Sequence, residues 1–237
     1  MRIRPLLLVL GLLFGAPSFS QSVSTCTRAL DRLPQIHNAD LLVNCLNLFY
    51  NSPTLDPDPM AFKSLIKFGY RILEIDNTRS DIYGVVAWLL WSKWRNWSTD
   101  PLNTPDGQGK EIEALALLRQ GAKINRNAEY FIAAANTIWP LAQFFLPHYY
   151  IDVLHWYTQA DALLSKSDKR KIRVRLNIGH IYRNTQQLER AAQAYHAVLA
   201  IDSANEVALR ILRCLEQNLE CAKPKPSPQS SSYAQAE

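Results

Sequence analysis

Apolar side chains recur at spacings of three and four residues through most of this chain, the period that places them on one face of an α-helix. Strand signals are scarce, because only 8 of the 237 residues are glycine and no Asn-Gly turn occurs. A hydrophobic content of 48% with 20% charged residues is enough to bury a sizeable core. The pattern therefore predicts an all-α fold, with Pro59 and Pro147 placed where a proline starts a helix comfortably.

A short phrase occurs twice along the chain. Residues 72–81 read ILEIDNTRSD and residues 198–207 read VLAIDSANEV, and a fainter copy reads AKINRNAEYF. In the second phrase Ser203 stands three residues before Glu206, which is the spacing of a helix capping box, and Thr78 begins the same spacing in the first phrase. Each phrase therefore predicts the end of one helix and the start of the next.

Residues 172–205 carry a recognisable packing pattern. Gly179, Tyr182, Ala191 and Tyr195 follow one another in the order small, aromatic, small, aromatic. The small residues let two helices approach closely, and the tyrosines fill the space around them. The segment resembles the tetratricopeptide repeat, a helix-turn-helix unit of about 34 residues. The resemblance implies an all-α, right-handed α-solenoid of about three to four such units, and an irregular helical bundle is the alternative.

The same register extends less closely over residues 80–127, where Ala87 and Ala114 take the places of the small residues. Between them lies a polar stretch with two prolines and two glycines, RNWSTDPLNTPDGQGK, which indicates a loop insertion near residues 95–110. We therefore predict a tetratricopeptide-like solenoid over residues 59–221.

Tetratricopeptide proteins typically bind peptides in a concave groove, and the resemblance implies which side chains line it here. The implied groove residues are Trp88, Trp91, Tyr130, Arg173, His180 and Arg183. Exposed tryptophans anchor partners well, and guanidinium groups hold carboxylates through paired hydrogen bonds, so an acidic or C-terminal peptide is the expected ligand. The alternative for Trp88 and Trp91, which start a series that continues to Trp94 and Trp97, is ordinary packing in the core.

A basic cluster, KSDKRKIRVR, occupies residues 166–175 with six basic residues and one acidic residue. Such a cluster suits an anionic membrane surface or an anionic glycan, and the alternative is a solvated helix start. The sequence carries none of the common local signatures of hydrolases, metalloproteases or nucleotide-binding enzymes. We therefore predict a non-catalytic adaptor without metal or cofactor, with an enzyme that lacks a local motif as a second alternative.

The first residues, MRIRPLLLVLGLLFGAPSFS, combine two arginines, a short apolar stretch and small residues. This composition predicts a secretory signal peptide over residues 1–20 and hence an exported protein, periplasmic if the source is a bacterium. The formal charge of +5 is only mildly basic, so nucleic-acid binding is not expected. The sequence indicates no oligomeric state.

Export favours pairing of the cysteines, for which three connectivities are open. The four are Cys26, Cys45, Cys214 and Cys221. Cys26 and Cys45 flank a predicted helical hairpin within residues 21–58, which favours their pairing. A bridge between the other two requires their helix to end before the second of them. The last residues, 222–237, are rich in proline, serine and glutamine and predict a disordered tail.

Overall fold

The computed structural model describes residues 19–50, 59–92 and 109–217 of the chain. These residues form ten α-helices, joined at two places by 3-10 turns (Leu33–Gln35 and Pro147–Tyr149), and contain no strand. The helices are α1 (Phe19–Asp31), α2 (Ala39–Tyr50), α3 (Pro59–Ile75), α4 (Ser80–Ser92), α5 (Lys110–Ile124), α6 (Ala128–Phe144), α7 (Tyr150–Leu163), α8 (Arg170–Asn184), α9 (Leu188–Leu199) and α10 (Glu206–Glu216). The prediction of an all-α fold is confirmed.

The helices stack as a succession of hairpins. Helices α2 and α3, α4 and α5, α6 and α7, and α8 and α9 pack as pairs, and each pair contacts the next through helices that follow one another in the chain. Helix α4 also packs on α6, its counterpart in the following pair. Contacts between neighbouring elements, repeated along the chain, are typical of a helical solenoid. The predicted solenoid arrangement is therefore confirmed as well.

Helix α8 separates two parts of the hydrophobic core. Val174 and Ile181 belong to the larger part, which begins at Cys26 and runs through α7. Leu176 and Tyr182 pack instead against the smaller part, which is formed by α9 and α10. Because α8 has apolar neighbours on two sides, only a strip of its surface is left for polar side chains.

The repeated phrases form the helix junctions, but the predicted capping boxes are wrong. Helix α10 is capped by Asn205, whose side-chain oxygen accepts a hydrogen bond from the Ala208 amide at 3.2 Å. In the first phrase the Asp76 carboxylate accepts from the Thr78 amide at 3.0 Å and from its hydroxyl at 2.6 Å. An aspartate that bonds two residues ahead closes a turn, so the aspartate of the first phrase belongs to the turn between α3 and α4.

A disulfide joins Cys26 of α1 to Cys45 of α2, the pairing that the hairpin favoured. Cys214 is disulfide-bonded as well, and Cys221 lies outside the described residues. Arg71 of α3 links the hairpin of α1 and α2 to the solenoid. Its Nε and Nη2 donate hydrogen bonds to the Ile36 carbonyl at 3.1 and 2.9 Å.

Three predicted segments fall almost entirely outside the described residues. They are the signal peptide (1–20), the insertion near 95–110 and the tail (222–237). None of the described helices is long and apolar enough to cross a membrane.

Candidate functional site: a polar face on helices α6, α8 and α10

One side of helix α8 carries a row of polar residues. Arg173, Asn177, His180 and Asn184 are separated by four, three and four positions, a spacing that aligns them along a single helical face. Two of them bond to side chains of α7 and one to a side chain of α9. With the neighbouring side chains described below, this row forms a surface that we call the α6–α8–α10 face.

Tyr157 of α7 connects α6 to α8 at this face. Its hydroxyl donates to the Asn136 side-chain oxygen at 2.6 Å and accepts from the Asn177 amide nitrogen at 2.9 Å. Burial raises the pKa of Tyr157 to about 12, so the phenol stays neutral and keeps both hydrogen bonds at physiological pH. The two asparagines are thereby fixed on their two helices.

Trp139 of α6 forms an aromatic wall beside this connection. Its ring lies edge-on to Tyr150 at 6.2 Å and to Tyr157 at 5.9 Å, measured between ring centroids. The indole N–H donates to Gln143 at 2.7 Å, and the Tyr150 hydroxyl accepts from Asn184 at 2.9 Å. The tryptophan is only half-buried, so part of a rigid ring remains open to a ligand.

His180 is held as a neutral side chain. Its Nδ1 is 2.8 Å from the hydroxyl of Tyr195, a fully buried residue of α9. Burial, together with the positive charges of Arg183 and Arg210, lowers the pKa of His180 to about 4. The pKa of Tyr195 is raised to about 12, chiefly by burial, so neither partner carries charge at pH 7.

The side chains of three arginines at this face have no ion pair and no hydrogen bond to any described residue: Arg173, Arg183 and Arg210. The Nε of Arg183 is buried without a hydrogen-bond partner. Several arginines elsewhere do form ion pairs, as Arg79 does with Asp40 at 2.9 Å and Arg119 with Asp152 at 2.7 Å. The face therefore presents positive charge and donors that the described part of the chain does not use.

Two residues expected in the groove lie in the core instead. Trp91 is 1% exposed and Tyr130 is 2% exposed, so neither is accessible to a ligand, and the expectation is wrong for both. Helix α4 is packed against α3, α5 and α6, which leaves little of its surface open. The Tyr130 hydroxyl donates to the buried carbonyl of Leu118 at 2.7 Å.

Trp88 is half-buried and lies edge-on to the Trp91 ring at a centroid distance of 4.7 Å. Trp94 and Trp97 fall outside the described residues.

The other three expected groove residues, Arg173, His180 and Arg183, do lie together on α8, on the α6–α8–α10 face. The remaining expected packing residues sit between α8 and α9, where Gly179 lies against Tyr195, Ala191 is fully buried and Tyr182 is half-buried.

The basic cluster of residues 166–175 is less open than its composition indicates. Lys171 is only 7% exposed, and its ammonium donates to the carbonyls of Asp161 and Leu164 at 2.6 and 2.7 Å. Arg175 is paired with the Asp161 carboxylate at 2.9 Å, and Arg170 with Asp168 at 2.7 Å. Half of the six basic residues therefore neutralise or cap parts of the chain itself, which weakens the case for a membrane or glycan surface.

Sequence reasoning missed Asn136, Trp139 and Arg210. A signal was present for two of them, because the otherwise apolar helix α6 carries Asn136, Trp139 and Gln143 at spacings of three and four. Arg210 could not be assigned from the sequence, because its place beside His180 depends on how α10 packs against α9. Among the described residues, no group of three or more His, Cys, Asp or Glu side chains is arranged to hold a metal ion.

Comparisons with known proteins find similarity among solved structures. No protein-family model matches the sequence, and no curated protein matches it. Among solved structures, the chain is similar to a thermophilic TPR protein of Thermus thermophilus, with 15% identity and a TM-score of 0.44 over 84% of this chain and 100% of that one.

Proposed function

We propose that this protein is a non-catalytic adaptor that binds a peptide or protein partner on the α6–α8–α10 face. The observation that carries the proposal is a row of guanidinium groups without ion pairs in the described chain. Arg173 and Arg183 lie near Tyr157 and Tyr150, the two rings that the half-buried Trp139 contacts, and Arg210 lies near His180. Aromatic and arginine side chains are the residue types most enriched among the anchors of protein interfaces.

The chemistry of the face favours a partner segment that combines acidic groups with an apolar or planar side chain. Guanidinium groups bind carboxylates through two parallel hydrogen bonds, and Trp139 offers a flat surface for the apolar part. The hydrogen bonds that Tyr157 donates to Asn136 and accepts from Asn177 hold neighbouring helices in place. A surface that is ordered before binding loses less entropy when the partner docks.

The proposed place of action is the cell envelope, with a role in assembling or connecting proteins there. The signal-peptide pattern of residues 1–20 supports export. The disulfide between Cys26 and Cys45 is consistent with it, because such bonds persist in oxidising compartments such as the periplasm.

Photo-crosslinking from single positions tests the location of the binding surface. The crosslinking amino acid is placed at Ala133 of α6 or Val207 of α10, both on the proposed face, and at Ile151 or Gln159 of α7 as matched exposed controls. We expect one defined adduct in the native envelope from the first two positions and none from the controls. Adducts from the α7 positions with none from Ala133 and Val207 would overturn the proposal.

A further inference from the structure

The end of the α6–α8–α10 face between α8 and α10 has a specific arrangement around His180. We assign the Tyr195 hydroxyl as the donor to His180 Nδ1, because no other described residue accepts its proton and a buried phenol would otherwise leave that proton without a partner. The proton of the neutral imidazole then resides on Nε2. Because Nδ1 is occupied, Nε2–H is the imidazole donor that remains for a ligand.

The two charged groups that act on the pKa of this imidazole are both positive. Arg183 lies one turn along α8, and Arg210 approaches from α10. From α7, Tyr150 and Tyr157 engage Asn184 and Asn177, which flank His180 along α8, and both tyrosines are neutral. From α9 the imidazole meets neutral Tyr195. No carboxylate of the described chain contributes to the shift in the His180 pKa.

We propose that His180, Arg183 and Arg210 form an oxyanion site for a carboxylate of the bound partner, and that filling the site draws a proton onto His180. This inference rests on the proposed function and assigns a ligand chemistry to one end of the same face. Arg183 contributes a guanidinium group that forms no ion pair in the described chain and whose Nε is buried without a hydrogen-bond partner. An anion beside it offsets the two positive charges that keep the imidazole neutral.

The direction of the proton linkage follows from these charges. A bound anion favours imidazolium, so the pKa of His180 rises in the complex and a proton is taken up on binding. Affinity for an anion that keeps its charge therefore increases as the pH falls from 7 towards 5. A site that holds anions through the arginines alone predicts no such increase.

NMR titration of the full-length protein with sodium sulfate provides the test, because sulfate keeps its double charge over this range. The His180 ring resonance is identified by its loss in His180→Gln. In sodium chloride of equal ionic strength we expect that resonance to stay unchanged from pH 7.5 to 5. In saturating sulfate we expect it to titrate with a midpoint above 5. A flat His180 resonance in sulfate overturns the inference.

Variants and a peptide probe separate the site from general charge effects. Arg210→Gln should abolish the effect of sulfate on His180, whereas Arg119→Gln, which removes a paired arginine elsewhere, should leave it intact. Pentaglutamate at pH 6 should shift the same His180 resonance and pentaglutamine should not, which identifies a carboxylate as the ligand group. If the His180 resonance responds equally in the two arginine variants, or equally to the two peptides, the proposed site is contradicted. Crosslinking from Ala133 and Val207 tests the wider face independently.

Discussion

Gly179 of α8 lies directly against the ring of Tyr195 of α9. A Cβ atom built on the glycine would stand 2.8 Å from two ring carbons, closer than side-chain atoms approach one another in proteins. The contact brings α8 and α9 together and, through the Tyr195 hydroxyl, also orients His180. One glycine thus connects the packing of the last hairpin to the geometry of the proposed binding face.

Replacing this glycine should destabilise the protein. In Gly179→Ala we expect the free energy of unfolding to fall by about 1 to 2 kcal/mol, because the cost of overpacking exceeds the gain in helix propensity. Gly84→Ala is the matched control within α4, since its nearest neighbour is Thr137 Oγ1 at 3.5 Å and the methyl group fits. The free energy of unfolding of this control should rise by about 0.5 to 1 kcal/mol. Urea unfolding measures both, and an equal gain in the two variants would contradict the close contact.

Lys171 is expected to behave as a structural residue despite its position in a basic cluster. Lys171→Met removes the donor that bonds to the carbonyls of Asp161 and Leu164. It also removes one of the cations beside the Asp161 carboxylate. We expect a loss of about 2 to 4 kcal/mol in the free energy of unfolding. Lys166→Met, at an exposed position of the same cluster, should change stability by less than about 0.5 kcal/mol. Similar small effects in both would show that Lys171 is not buried in solution.

The low pKa of His180 makes stability depend on pH. The pKa is about 4 in the folded protein and about 6.5 in an unfolded chain, so the unfolded state binds more protons between these values. Stability therefore rises with pH through this window and is lost on acidification. From pH 7 to pH 5 we expect His180 to account for about 1 to 2 kcal/mol of that loss.

His180→Gln provides the comparison for this pH dependence. It should flatten the curve of unfolding free energy against pH between 7 and 5, whereas His155→Gln, at an exposed site on α7, should not. Parallel curves for the wild type and His180→Gln would show that the imidazole is not buried as a neutral group.

The disulfide of the first hairpin should contribute measurably to stability. Cys26 and Cys45 are separated by 19 positions, and closing a loop of this size is worth about 3 kcal/mol in the entropy account of cross-linked chains. We expect calorimetry to show that the free energy of unfolding of the double variant Cys26→Ala/Cys45→Ala is lower by about 3 kcal/mol. A loss below about 1 kcal/mol would mean that packing of α2 on α3 holds the hairpin without the bond.

Local sequence patterns predicted much of the architecture. The three-and-four spacing of apolar residues led to the all-α fold, and the Ile-Asp phrases marked the helix junctions before α4 and α10. The caps were misassigned because several neighbouring polar residues can each satisfy a helix start, and the observed choice of Asn205 depends on the turn that Asp202 closes with it.

The face was harder to predict because it depends on partners distant in sequence. Trp91 follows the register of a groove residue, yet helices on several sides of α4 bury it. Lys171 and Arg175 belong to a basic run, yet Asp161 at the end of α7 engages both. Periodicity defines the faces of a helix, but the neighbours that cover each face follow only from the packed structure.

Affinity for a purified partner, once crosslinking has supplied it, tests the binding face most directly. Titration calorimetry compares Trp139→Ala and Arg210→Gln on the face with Ile151→Ala and Arg119→Gln away from it. We predict that each face variant raises the Kd at least about tenfold and that each control changes it by less than about twofold. Unchanged binding by both face variants, with both still folded, would contradict the proposed site.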